Sequence, residues 1–179
     1  MEKTDFKLTR HVCSLSIVIP FSLVFLMVSV AIGFDEVDLQ KLKSTNQCPG
    51  FNLTGIVLLA PQMPGAKLAG ANISSASISN SILTDADFSG ANLAYINFTS
   101  ADLTGANMAN TDLRVANLTS AKLQESNLSK ANLAGAALFD ANLTGANMDG
   151  ANLSGAFLAG AIWIDGKICK EGSKGEYKK

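Results

Sequence analysis

Residue types that commonly carry catalysis are few in this chain and lie far apart. Its one histidine, His11, sits in an apolar N-terminal segment, and its three cysteines are Cys13, Cys48 and Cys169. A histidine base or a histidine metal ligand is therefore not expected beyond that segment. Thiol chemistry has little more support, because Cys48 and Cys169 flank opposite ends of a long repeat.

Asp85 and Asp87 are near neighbours that could in principle act as an acid–base pair. Asp and Asn, however, fill outward positions of the repeat throughout this chain, where they are typical turn residues. The glycines recur at five-residue spacing, which is unlike a phosphate-binding loop. We therefore predict that the protein is not an enzyme, with no catalytic residues, no cofactor and no metal site.

A five-residue repeat from Ala66 to Asp165 organises the chain. Its cleanest copies read Ala-Asn/Asp-Leu-Ser/Thr-Gly, as at 101–105 and 141–145. Stepping by five from Leu53 to Ile168 gives 24 central positions, and each holds Leu, Ile, Met, Phe or Trp. The position two before the centre is Ala in 16 of the 20 units of the repeat. A fixed period of this kind indicates a stacked repeat architecture.

A period of five fits neither the 3.6 residues of a helical turn nor the two-residue alternation of a strand. We predict that each unit forms one short extended side followed by a bend, with the centre and the Ala pointing inward. The periodicity itself requires only an inward pair every five residues; the resemblance described next implies that four units close a square of twenty residues. At the ~4.8 Å spacing of neighbouring strands, the 24 centres make about six coils and a rod ~29 Å long.

In these features the chain resembles the pentapeptide repeat proteins, whose units follow Ala-Asp/Asn-Leu-X-X. The resemblance implies an all-β fold, a right-handed quadrilateral parallel β-helix. The segments 47–53 and 163–169 resemble the ends of exported bacterial and cyanobacterial members. In many of those members, further cysteines stand at the positions of Phe51 and Tyr177. This chain departs at both positions, which puts the family's end bridges in doubt.

Four regions are predicted. Residues 1–33 form a signal peptide or N-terminal membrane anchor, residues 34–50 an N-terminal capping helix and linker, residues 51–165 the repeat β-helix, and residues 166–179 a C-terminal cap and flexible tail. In the capping segment, Phe34, Val37 and Leu42 are spaced to suit one side of a short helix, and Asp35 is placed to cap its start. Such a helix would cover the open backbone edge of the first coil.

The N-terminal segment predicts export. Lys3, Lys7 and Arg10 precede a nearly uncharged apolar run from Val12 to Gly33, which is typical of a signal peptide. At about 21 residues the run could also span a bilayer as an uncleaved anchor. In both cases the positive flank stays inside, so the repeats lie outside the cytoplasm, in the periplasm or the thylakoid lumen.

Outward positions predict two surface features. The residues before the centres on one side of the square are all amides except one carboxylate, and we expect them to form a hydrogen-bonded ladder along the rod: Asn52, Asn72, Asn92, Asp112, Asn132 and Asn152. The second feature is apolar. Phe139 and Phe157 fall on outward positions of adjacent coils, and Ile162 and Ile164 lie on the neighbouring side.

Clustered outward apolar groups mark contact surfaces when they are exposed. We predict that Phe139, Phe157, Ile162 and Ile164 form an interaction patch for an unknown protein partner or for self-association. The alternative left open is that the tail from Asp165 folds back and covers these side chains.

The charge balance bears on the remaining alternative, a DNA-mimic binder of type II topoisomerase, which is known among cytosolic members of the family. That function needs a dense acidic surface. Residues 66–165 hold eight acids against four bases, and residues 34–179 hold 13 against 11, a net charge of −2. No nucleic acid is expected as a partner. The predicted function is thus a non-enzymatic, extracytoplasmic structural or interaction scaffold.

Overall fold

A computed structural model describes residues 36–170 of the chain. Its helix, α1, spans Glu36–Thr45, and the residues after it form short extended segments joined by turns. No helix within the described range is long and apolar enough to cross a membrane. The predicted signal peptide or anchor, residues 1–33, and the end of the predicted tail lie outside the described residues.

Parallel bridges join residues twenty positions apart, from Gln47 with Lys67 to Asn142 with Ile162. Successive bridged residues are five apart, so four sides make one turn of the chain. The predicted period of twenty residues is therefore confirmed. We number the sides 1 to 4 in chain order, from Gln47, Asn52, Val57 and Gln62, so that side 2 is opposite side 4.

The corner after each centre is a tight turn. The residue two positions before a centre donates its backbone N–H to the carbonyl of the centre of the previous unit, as Ala101 does to Phe98 at 3.0 Å. The last residue of every unit from Gly50 to Gly160 has a positive φ. This combination is that of a type II turn, whose third residue favours glycine or asparagine. The repeat therefore bends once every five residues, at a position where Gly, Asn, Asp or Ser stands in most units.

Central residues and alanines fill one continuous core. The alanines at 66, 71, 101 and 106 are fully buried, and so are nearly all centres between them. Phe88 on side 1 and Phe98 on side 3 meet edge to face across the interior, with ring centroids 5.8 Å apart. A small residue stands beside most centres because two large centres already span the interior, and Ile56 and Ile96 are buried large exceptions.

Three buried positions that usually hold Ala carry a hydroxyl instead. Thr111 donates to the carbonyl of Met108 at 2.7 Å, and Ser126 donates to the carbonyl of Leu123 at 2.8 Å. The hydroxyl of Ser81 has no hydrogen-bond partner in the described structure. A buried hydroxyl is thus tolerated where it can reach back to the turn that precedes it.

The helix α1 covers the start of the core. Leu39 and Leu42 are buried, but Val37 is 72% exposed, so the prediction that Val37 packs with Leu42 was wrong. At 100° per residue, Val37 lies on the side of the helix nearly opposite Leu39. The Asp38 carboxylate accepts a hydrogen bond from the backbone N–H of Asn52 at 3.1 Å, which ties the helix to side 2.

The far end leaves the five-residue frame after Trp163. Ile162 bridges Ile168 in antiparallel fashion, so residues 161–169 form a hairpin that continues side 4. Ile168 was predicted as a buried centre, yet it is 67% exposed, while Cys169 is buried. The turn at Gly166 reverses the chain, and a shift of one residue in a strand exchanges its inner and outer faces.

Candidate interaction surface

The compact part of the predicted patch is a pair of aromatic rings. Phe157 lies on side 3 of the last turn, and Phe139 lies one turn earlier at the corner between sides 3 and 4. Their rings are stacked, with centroids 5.6 Å apart and an angle of 27° between planes. The two residues remain 39% and 37% exposed. Aromatic pairs at this separation are in favourable contact.

Local sequence explains the pairing. Ala137 is the residue bridged to Phe157, and it offers only a methyl group at the neighbouring rung of side 3. The ring of Phe157 therefore packs on the ring of Phe139, which stands two residues after Ala137. The two residues are eighteen apart in sequence, so only the twenty-residue turn brings them together.

The two isoleucines of the predicted patch lie on side 4. Ile162 is half-buried and bridges both Asn142 and Ile168, which places it within the hairpin. Ile164 is 39% exposed at the corner that follows side 4. The four residues therefore lie on sides 3 and 4 and at the corners of side 4, and the ring contact joins Phe139 and Phe157. The described part of the tail, up to Lys170, pairs with side 4.

A second exposed apolar pair was missed by sequence reasoning. Tyr95 and Val115 occupy the same corner, between sides 2 and 3, in successive turns and are 65% and 52% exposed. Their φ angles are 61° and 57°. Positive φ is rare for bulky and β-branched residues. The signal was present in the sequence, because both residues stand at the fifth position of their units, where turn formers predominate.

Polar side chains outside the core mainly support the backbone. On side 2, where the amide ladder was predicted, the side-chain amide of Asn152 donates to the side-chain oxygen of Asn132 at 3.1 Å. Two consecutive rungs lie on side 1, where Asn107 donates to Asp87 and Asn127 donates to Asn107, each at 3.2 Å. Side 2 oxygens are used locally, since residues such as Asn52 accept the N–H two positions ahead. This pattern is that of a turn-stabilising side chain.

Two carboxyl groups of this surface, Asp102 and Asp112, have pKa values below the ordinary value of aspartate. Hydrogen bonds from the Arg114 guanidinium lower the pKa of Asp112, against a smaller opposing effect of burial. Burial acts to raise the pKa of Asp102, but hydrogen bonds from Thr104 and Lys122 outweigh it and the pKa is lowered. Carboxyls with lowered pKa values are suited to ion pairs rather than to proton donation.

The thiols and possible metal ligands add no reactive site in the described range. Cys48 and Cys169 are buried at opposite ends of the rod, and the Cys48 thiol donates to the Asp38 carbonyl at 3.1 Å. Burial raises the pKa of the Cys169 thiol, which disfavours the reactive thiolate. Within residues 36–170, no group of three or more His, Cys, Asp or Glu side chains could hold a metal ion.

Comparison with known proteins identifies the repeat. The family model described as pentapeptide repeats matches residues 81–119 and 116–155, with eight copies. No curated protein matches the chain. Among solved structures, the chain is similar to a pentapeptide repeat protein (Rfr23) from the cyanobacterium Cyanothece 51142, with 27% identity and a TM-score of 0.55. That match covers 71% of this chain and 97% of the other.

Two further solved structures are similar. One is alr5209, a pentapeptide repeat protein from Nostoc Pcc 7120, with 35% identity over 45% of this chain and 66% of the other and a TM-score of 0.44. The other is a pentapeptide repeat protein from the thylakoid lumen of Arabidopsis thaliana, with 26% identity over 75% and 86% and a TM-score of 0.36. Pentapeptide repeat proteins form right-handed β-helices.

Proposed function

Because the chain belongs to the pentapeptide repeat family, we propose that it is a non-enzymatic scaffold that acts outside the cytoplasm and binds a protein partner. Proteins of this family are generally structural or interaction proteins rather than enzymes. The observation that carries the proposal is the stacked and partly exposed ring pair, Phe139 and Phe157. The docking surface is the band of Phe139, Phe157, Ile162 and Ile164.

The backbone supports binding because it presents this band rigidly. The bridges that carry the band are short, with Leu138 N–H to Phe157 O and Ile162 N–H to Ala141 O both at 2.8 Å. A surface that is already ordered loses little conformational entropy when a partner docks. Aromatic anchors that become fully buried commonly dominate the energy of an interface, and burying one Phe side chain contributes ~1.5–3 kcal/mol.

The proposed location rests on the N-terminal segment. Lys3, Lys7 and Arg10 precede the apolar run Val12 to Gly33, which supports export into the periplasm or the thylakoid lumen. If that segment is not cleaved, it is also the expected membrane contact. Fractionation of cells that make the full chain, followed by detection of the repeat with an antibody, tests the location. Recovery in the cytosol would refute it.

The binding proposal is tested by capture of partners from the extracytoplasmic fraction. We expect the double variant Phe139→Ser with Phe157→Ser to lose partners that the unchanged chain retains. A matched control is Tyr95→Ser with Val115→Ser, which removes the other exposed apolar pair. The control should keep the partners. If the two double variants capture the same proteins as the unchanged chain, the band is not the docking surface.

A supercoiling assay with DNA gyrase addresses the topoisomerase alternative. The acids of the repeat are partly neutralised in place: Asp112 pairs with Arg114 at 2.6 Å and Asp102 pairs with Lys122 at 3.1 Å. We therefore expect no inhibition of supercoiling. Inhibition that is lost on neutralising outward Asp residues would favour the DNA-mimic function instead.

A further inference from the structure

The described chain leaves the rod beside the aromatic rings. The outer strand of the hairpin runs antiparallel to side 4, from the turn at Gly166 back toward the corner between sides 3 and 4. At that corner the Cys169 carbonyl accepts the N–H of Gly160 at 3.1 Å, and the next residue, Lys170, is exposed. Because side 3 meets side 4 at this corner, a chain that continues along the strand emerges on the outer surface of side 3, where Phe157 lies.

This exit is also close to Phe139. Gly160 stands at the same corner as Asp140, one turn later, and Cys169 pairs with Gly160 in the next layer. Asp140 directly follows Phe139, so the exit lies two strand spacings, ~10 Å, from it along the rod. Residues 171–179 span up to ~30 Å when fully extended. They can therefore reach both rings and turn back over them.

The surface at this corner combines apolar groups with one acid. The rings of Phe139 and Phe157 are stacked and more than a third exposed, and Ala137 between them offers only a methyl group. Asp140 is exposed and makes no ion pair with another residue of the range 36–170. A complementary occupant presents an aromatic or aliphatic group with a positive charge next to it.

Segment 171–179 supplies this combination. Its one aromatic residue is Tyr177, and the two residues that follow are Lys178 and Lys179. Three lysines and two glutamates give the segment a net charge of +1. A tyrosine suits a surface contact because its ring can pack on other rings while its hydroxyl stays in water.

We propose that segment 171–179 occupies the band of its own chain, with the Tyr177 ring against the ring pair and Lys178 beside Asp140. The contact itself does not require the function proposed above. Its consequence rests on that function, because the segment then competes with the protein partner for one surface. The segment thus regulates access to the band.

The contact opens and closes. Fixing the backbone of nine residues costs conformational entropy, and only one ring and one charge pair oppose this cost. Tethering favours the closed form, since a short link holds the segment at a roughly millimolar effective concentration near its site. A partner meets the open band for only part of the time, and its apparent affinity is reduced by that fraction.

Cross-linking within the full chain, held in mild detergent, tests the contact. In a Cys13→Ser background the two remaining thiols are buried and should react little. Lys179→Cys is combined either with Ala137→Cys, in the band, or with Ser154→Cys, at the corner between sides 2 and 3 of the last turn. Both sites lie within reach of the segment. We expect a short bis-maleimide to give about fivefold more intrachain product with the first pair.

Three results would overturn the contact. Equal yields from the two pairs would mean that the segment has no preferred site. A higher yield with Ser154→Cys would place the segment across the open end of the core instead. A covalent dimer in place of the intrachain product would mean that the segment of a second copy fills the band.

The role of the ring is tested in the chain that carries Lys179→Cys and Ala137→Cys. Tyr177→Ser should reduce the intrachain yield about fivefold, and Tyr177→Phe should keep it. Tyr95→Ser removes an exposed tyrosine at another corner and is the control, which should have no effect. A yield that survives Tyr177→Ser would refute the proposed anchor.

The charge pair is tested by exchange in the same chain. Asp140→Lys should lower the intrachain yield about threefold, and adding Lys178→Glu should restore it. The backbone admits lysine at this position, because Lys130 already holds a φ of 57°, close to the 55° of Asp140. A yield that does not change on Asp140→Lys would exclude the ion pair.

Capture from the extracytoplasmic fraction separates this contact from the docking function. At a fixed, low concentration of the chain, Tyr177→Ser should raise the recovery of proteins that depend on Phe139 and Phe157 about threefold. Unchanged recovery would overturn the competition. If recovery depends on the two rings but cross-linking shows no preference, the segment contact fails and the docking function stands. If cross-linking shows the preference but recovery does not depend on the rings, the docking function fails and the contact stands.

Discussion

The carboxylate of Asp85 fills the space in which Gly105 would carry a side chain. The two residues stand at the same corner in successive turns, and the Asp85 Oδ1 atom lies closer to the position of a Cβ at Gly105 than two non-bonded heavy atoms approach each other. Asp140 and Gly160 repeat this relationship at another corner. At these two corners, a carboxylate in one turn is thus accommodated by a glycine in the next.

We predict that Gly105→Ala destabilises the rod more than Gly90→Ala. Both glycines have nearly the same φ, +68° and +65°, but a Cβ at Gly90 would meet nothing within 4 Å. Gly90→Ala should lower the free energy of unfolding by ~1–2 kcal/mol, the strain of placing alanine in the left-handed backbone conformation. Gly105→Ala should cost this and the displacement of Asp85. Urea denaturation measures both, and adding Asp85→Ala to Gly105→Ala should remove the excess. Equal costs for the two glycines would refute the steric account.

Val115→Asn is expected to stabilise the rod by about 1 kcal/mol, because asparagine adopts a positive φ more readily than a β-branched residue. Val115 is 52% exposed, so little packing is lost. Ser120→Asn is the control, since Ser120 already holds a φ of 56° without a branched side chain. Thermal and urea unfolding of both variants check the prediction. A loss of stability in Val115→Asn would show that its side chain contributes packing that outweighs the strain.

The buried hydroxyls should respond in opposite directions. Ser81→Ala removes a hydroxyl without a partner and should raise the free energy of unfolding by roughly 1 kcal/mol. Ser126→Ala removes a hydroxyl that donates to Leu123 and should lower it by roughly 0.5–1.5 kcal/mol. The same denaturation experiment compares the two. Changes of the same sign and size would mean that hydrogen bonding at this position has no influence on stability.

Stability should fall in acid, partly through Asp112. The pKa of Asp112 is lowered in the folded protein by Arg114, so its contribution is fully present above the unfolded pKa of about 3.9 and is lost as the pH falls through the lower, folded value. Arg114→Gln should reduce this acid-sensitive part, and added salt should do so too. Urea midpoints measured from pH 7 to pH 2 test this. An unchanged pH profile in Arg114→Gln would contradict it.

Several features of the fold could be predicted residue by residue from the sequence. Leu133 and Ala131 are buried, and the last residue of every unit up to Gly160 turns with positive φ, because the same local rule applies to these units. The twenty-residue pairing was implied by the resemblance to pentapeptide repeat proteins, because a period of five alone requires only an inward pair in every unit. The exposure of Phe139 could be inferred from its outward position alone.

The remaining features depend on what lies opposite each residue in space. Leu39 rather than Val37 faces the core because the helix must present one side to the first turn, and Cys169 rather than Ile168 is buried because a hairpin reverses the chain. The stacking of Phe139 on Phe157 depends on both the turn period and the direction of each ring. Periodicity determines the interior of this protein because each unit repeats its neighbour. The ends and the surface contacts were decided by tertiary structure, because there the repeat stops or its outward side chains differ.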